Sequence, residues 1–83
     1  MKKYVLIYSK NGEDGYNRRV ENRNARFWLQ QTGADKVWIY TANGVFIAHA
    51  IRYADGVEVT TNSDFDTILD YTRKRVFYNV YNI

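Results

Sequence analysis

Residues 36–61, KVWIYTANGVFIAHAIRYADGVEVTT, carry apolar, β-branched and aromatic runs on either side of Asn43-Gly44. Alternation with period two marks strands, and Asn-Gly supplies the positive φ values of a two-residue type I′ hairpin turn. A second turn signal, Asp55-Gly56, returns the chain through Val57, Val59 and Thr61, so the stretch predicts a three-strand meander. With Asn43 and Gly44 as the loop, Ala42 faces Val45, Thr41 faces Phe46 and Tyr40 faces Ile47. Ile39 then faces Ala48, and Trp38 faces His49. One face collects Val37, Ile39, Phe46, Ala48 and Ala50, and the other Trp38, Tyr40, Ile47, His49 and Ile51. The first set is compact, and its alanines admit a close helix, so it is assigned to the core. The second is aromatic around one titratable group and is assigned to an open side. A slip of one residue would exchange the two.

Residues 2–9 (KKYVLIYS) read as a central strand, apolar on both faces, with Val5 and Ile7 expected inward and Tyr4 and Tyr8 outward. Residues 10–16 (KNGEDGY) read as a solvated loop, without a Walker lysine or a GxGxxG spacing. Residues 17–32 predict a helix stopped by Gly33, with Val20, Asn24, Phe27, Trp28 and Gln31 along one side. Ser63 reads as an N-cap with Asp66 three residues on, opening a second amphipathic helix through Phe65, Ile68, Leu69 and Thr72 to about Lys74. Asp64, Asp66 and Asp70 near its start and the basic residues at its end complement the helix dipole. Residues 75–82 predict a closing strand, with Tyr78 and Val80 inward and Phe77 and Tyr81 outward. The expected fold is one α+β domain over residues 1–83. It is a two-layer sandwich, an antiparallel sheet with two helices on one face, ferredoxin-like βαββαβ with an extra hairpin strand.

Composition narrows the function classes. A chain of 83 residues without cysteine has neither a disulfide framework nor a thiolate metal site. No apolar run approaches the ~20 residues of a membrane span. Met1-Lys2-Lys3 begins like a signal peptide, but YVLIYS is too short and turns polar at once, so a cytoplasmic protein is expected. The absence of proline and the wealth of Tyr and Asn suggest an AT-rich coding sequence, as in a phage or a low-GC bacterium. The net charge of +3 is segregated. Residues 1–36 hold eight Lys/Arg against four Asp/Glu, residues 37–70 one against five, and residues 71–83 add Arg73, Lys74 and Arg75.

Two constellations follow. Arg19, Arg23 and Arg26 fall at i, i+4 and i+7, a single stripe on the expected first helix. With Arg73, Lys74 and Arg75 they are candidate phosphate contacts. The second constellation is the open face, with Tyr4, Tyr8, Trp38, Tyr40, Phe77 and Tyr81 gathered around His49. This platform resembles that of RNA recognition motifs, which stack bases on sheet aromatics. Where that family carries its third-strand run, this chain has Asn43-Gly44-Val45-Phe46-Ile47-Ala48-His49-Ala50, sharing only the glycine.

A further run, His49-Ala50-Ile51-Arg52-Tyr53-Ala54-Asp55-Gly56-Val57-Glu58-Val59 followed by the expected helix at 65–74, resembles HicA-type toxins. Those are messenger-RNA interferases with a double-stranded-RNA-binding-like fold. Ile47-Ala48 replaces the Gly-Ser that precedes their histidine. The resemblance would make His49 catalytic.

The residues themselves point to a small non-catalytic binding module without cofactor or metal. It would engage RNA, single-stranded DNA or a nucleoprotein complex through Arg19, Arg23, Arg26, Trp38, Tyr40, His49, Arg73, Lys74 and Arg75. The alternatives are a phage-encoded inhibitor or adaptor docking on a host protein and, third, a HicA-like ribonuclease. A homodimer through the aromatic sheet face, or a sticky monomer, is also expected.

Overall fold

The computed structural model describes residues 3–62 and 75–81, with side chains through Thr61. Its elements are β1 (Tyr4–Lys10), β2 (Glu13–Val20), α1 (Ala25–Thr32), β3 (Lys36–Thr41), β4 (Phe46–Tyr53), β5 (Gly56–Asn62) and β6 (Arg75–Tyr81). They form an α+β fold around one six-stranded sheet of order β2-β1-β3-β4-β5-β6. The first five strands pair antiparallel, and β6 runs parallel to β5. The expected βαββαβ order is not what the described residues show, because strand β2 occupies most of the expected loop at 10–16 and residues 17–20 of the expected helix at 17–32. The second helix, at 63–74, lies outside the described residues.

The cause is a hairpin at Asn11-Gly12. Both residues have positive φ, 53° and 80°, and Lys10 pairs with Glu13 across them. This is the tight type I′ connection. Gly15, at φ 89°, sits where the pairing shifts register between Tyr8 and Lys10, the conformation a bulge glycine supplies. The helix begins only after Asn24, whose side chain accepts from the Phe27 N–H at 2.8 Å. It ends at Gly33, in the left-handed region at φ 68°, as the stop signal implied.

The meander β3-β4-β5 forms as expected, but its first turn differs. Asn43 keeps a negative φ and Gly44 alone is positive, at 89°. The Gly44 N–H donates to the Thr41 carbonyl at 3.0 Å and the Thr41 N–H to the Val45 carbonyl at 2.9 Å. This is a longer loop built on a type I turn. The register holds for Trp38–His49 and Ile39–Ala48, then slips, pairing Tyr40 with Phe46 and leaving Ile47 as the extra residue. Ile47 packs against the core, while Phe46 meets the Tyr40 ring. Their expected faces are therefore exchanged.

The core lies between α1 and one sheet face. Leu6, Val20, Ala25, Leu29, Ala34, Val37, Ile39, Ala48, Ala50 and Val59 are buried there. Ala48 and Ala50 are the small residues that let the helix approach. Each fully buried Leu, Ile or Val contributes about 1.5–3 kcal/mol relative to exposure. β1 is interior, as expected, but its faces are reversed. Leu6 pairs with Ile39 and Tyr8 with Val37, so Tyr4, Leu6 and Tyr8 share the helix side, and Val5 and Ile7 belong to the open side. Arg52 fastens the helix end. Its Nε donates to the Ala34 carbonyl at 3.2 Å and its Nη2 to the Leu29 carbonyl at 3.0 Å, placing a cation at the helix C-terminus.

Candidate functional site

Pairing builds the second face row by row. Arg19 lies opposite Val5, and Val5 opposite Tyr40. Asn17 lies opposite Ile7, followed by Trp38, His49 and Thr60. Lys36 lies opposite Ile51, and Ile51 opposite Glu58. Helix α1 packs on the other side of β3, β4 and β5, and no described element packs on this one. Val5, Ile7, Trp38, Tyr40, Phe46, His49 and Ile51 are all half-buried by their neighbours. Tyr4 and Tyr8 are corrections: both pack against the core cluster on the helix side. The side chains of Phe77 and Tyr81 lie outside those described.

Two ring pairs dominate. Trp38 and His49 stack with centroids 4.9 Å apart and planes 10° from parallel. Tyr40 and Phe46 meet edge to face at 5.9 Å and 72°. Such pairs contribute about 0.5–1.5 kcal/mol beyond area burial. Burial holds the His49 imidazole below its ordinary pKa, the Lys36 ammonium adds to this, and Glu58 opposes it. His49 Nε2 is buried and has no hydrogen-bond partner among the described residues. The ring is therefore a neutral, largely apolar part of the stack near pH 7.

The arginines do not form the expected helical stripe. Arg19 is on strand β2, Arg23 in the segment before the helix and Arg26 in the first turn of α1. Arg73 and Lys74 lie outside the described residues, and Arg75 begins β6 opposite Gly56. The fold instead brings together four residues that periodicity did not group. Arg18 Cζ lies 5.5 Å from the Trp28 ring centroid and Arg23 Cζ 4.9 Å from that of Phe27. Phe27 and Trp28 meet edge to face at 4.8 Å. No local signal joins Arg18 to Trp28, because a strand, a loop and a helix must assemble first.

A separate concavity of about 420 Å³ on the β1–β2 hairpin is lined by Tyr8, Lys10, Asn11, Glu13 and Tyr16. Tyr8 and Tyr16 stack there at 5.2 Å. The Tyr16 hydroxyl donates to Glu13 Oε2 at 2.6 Å, and this bond raises its pKa. Among the described residues, no three His, Asp or Glu side chains gather as metal ligands, and no helix is long and apolar enough to cross a membrane. No protein-family model, curated protein or solved structure matches this chain.

Proposed function

We propose that this protein is a small, non-catalytic binding module that engages RNA, single-stranded DNA or a nucleoprotein through its uncovered sheet face. The observation that carries this reading is the pairing of Trp38 with His49 and Tyr40 with Phe46 on one face, with Arg19 in the Tyr40–Phe46 row and Lys36 in the row next to Trp38 and His49. Flat rings on a sheet stack bases without needing a particular sequence, and flanking cations meet phosphates. Sheet topology supports leaving this face bare. The steps from β2 to β3 and from β5 to β6 both join parallel strands in the same direction across the sheet. Right-handed crossovers at both steps would leave the same face open. The expected second helix beside α1, at 63–74, belongs to this proposal, as does a cytoplasmic setting.

The test is fluorescence anisotropy with labelled single- and double-stranded oligonucleotides at several salt concentrations. Binding should weaken linearly on a log–log plot as salt rises. If neither oligonucleotide binds below roughly 10⁻⁴ M, typical of weak non-specific contact, the reading fails.

A protein partner is the second reading, in the form of a phage-encoded inhibitor or adaptor. The aliphatic side chains of Val5, Ile7 and Ile51 among the rings favour it, since they suit an apolar protein surface better than a base. It predicts no salt-linear oligonucleotide binding and an anchor residue whose loss abolishes a pull-down. A sheet-to-sheet homodimer would appear directly in size exclusion. The HicA-like ribonuclease draws less support, because the shielded Nε2 of His49 would have to reach a ribose.

A further inference from the structure

We infer that the β2 edge is a phosphate-binding rim, over which a single-stranded polynucleotide passes from the aromatic face to the helix side. The inference rests on the nucleic-acid reading above and names a second contact region for it. Successive residues of a strand point to opposite faces, so Arg18 and Arg19 straddle this edge. Arg19 shares the open face with Val5, and Arg18 reaches the helix side and lies over Trp28. Arg23 then continues the line, its Cζ over the Phe27 ring. The result is a ladder of guanidinium, indole, phenyl and guanidinium.

Holding a guanidinium over a ring leaves N–H donors that can hydrogen-bond elsewhere. It also lowers the entropy lost when those donors engage a phosphate. Arg18, Arg19 and Arg23 are exposed, and none meets a carboxylate among the described residues, Glu21 included. None caps the helix, a role filled by Asn24 and Gly33. Arg18 and Arg19 leave the edge toward opposite faces, a spacing that successive phosphates of one strand can meet in turn. Single-stranded nucleic acid fits best, because bases must be unstacked to lie on the ring face beyond the edge.

The experiment compares the wild type with Arg18→Gln/Arg23→Gln and Arg18→Lys/Arg23→Lys, using a labelled single-stranded oligonucleotide across a salt series. Circular dichroism checks that each variant is folded. The glutamine pair should bind all sequences more weakly, with a log–log salt slope shallower by roughly 0.7 per lost phosphate contact. The lysine pair should keep most of the slope but bind several-fold more weakly, since it retains charge and loses the planar, bidentate fork held over the rings. A folded glutamine pair with the wild-type slope would overturn the rim while leaving the sheet-face reading intact. A lysine pair indistinguishable from wild type would overturn the role of the aromatic ladder. Failure of the wild type to bind any oligonucleotide would overturn both readings together.

Discussion

On β3, Val37 and Ile39 are fully buried toward the helix, while Trp38 and Tyr40 are half-buried on the reverse. The two faces of one sheet thus solve different problems. The buried centre of the helix side is built from aliphatic and alanine side chains that pack with Leu29 and Ala25 of α1, with Tyr4 and Tyr8 at its margin. The other side carries rings that pack on each other across strands, with Arg19, Lys36 and Glu58 around them. Close packing punishes a change of volume, whereas a ring surface tolerates truncation and offers its area to a partner. Under the proposed function, the difference gives stability to one face and recognition to the other.

The sharpest way to break that division is to truncate matched positions. Ile39→Ala removes a side chain with no exposed surface and should cost about 2–5 kcal/mol of unfolding free energy. Chemical denaturation checks this. Trp38→Ala, its neighbour on the opposite face, should lose on the order of 1 kcal/mol of stability, mostly from the stack with His49. It should also weaken oligonucleotide binding by about 1–3 kcal/mol with the salt slope nearly unchanged, as should Tyr40→Ala. Equal losses of stability from Ile39→Ala and Trp38→Ala would erase the distinction between the faces.

How much of this was legible depended on whether a single face was clearly apolar. The alternation through Val37–Ile39 and Ala48–Ala50 is unambiguous, so the meander, the Trp38–His49 pair and the core side of β3 and β4 could be read directly. On β1 both faces are apolar, and Tyr4 and Tyr8 look no more exposed than Val5 and Ile7. Period two therefore could not choose between them, and tertiary pairing decided. On β2 every residue from Glu13 to Arg19 is exposed, leaving no hydrophobic period to oppose the helical spacing of the arginines. Asn-Gly occurs twice, and the tight two-residue turn forms at Asn11-Gly12 while Asn43-Gly44 takes the longer form. The dipeptide permits both, and flanking pairing selects. The candidate rings Trp38, Tyr40 and His49 were readable for the same reason as the meander, whereas the Arg18–Trp28–Phe27–Arg23 ladder exists only after assembly.

A smaller effect separates the helix cover from the ring face. Asn24→Ala removes the acceptor of the Phe27 N–H and should cost about 1 kcal/mol. Because the helix covers only one face, thermal stability should fall while binding through Trp38 and Tyr40 stays near wild type. A matching loss of both would mean that the ring face depends on the helix beneath it.

The smallest expected effect is a pH dependence located on the ring face itself. His49 is held below the ordinary histidine pKa of about 6.5 by burial first and by Lys36 second, against a weaker opposing pull from Glu58. The unfolded chain then binds the proton more readily than the folded one. Stability is full above about pH 6.5 and declines as pH falls through that value toward the lower folded pKa. Below both values the loss is complete, because both states then carry the proton. Thermal midpoints measured from pH 8 downward should show this decline, and His49→Gln should flatten it. Lys36→Gln removes a cation that disfavours protonation and should move the decline to a narrower range, since the folded pKa rises toward the unfolded one. The core-face variant Ile39→Ala, by contrast, should lower the whole curve without changing its shape. A wild-type curve flat between pH 7 and pH 5 would show that the imidazole titrates as freely in the fold as in the unfolded chain, and the stacked, shielded geometry of His49 would then not describe the protein in solution.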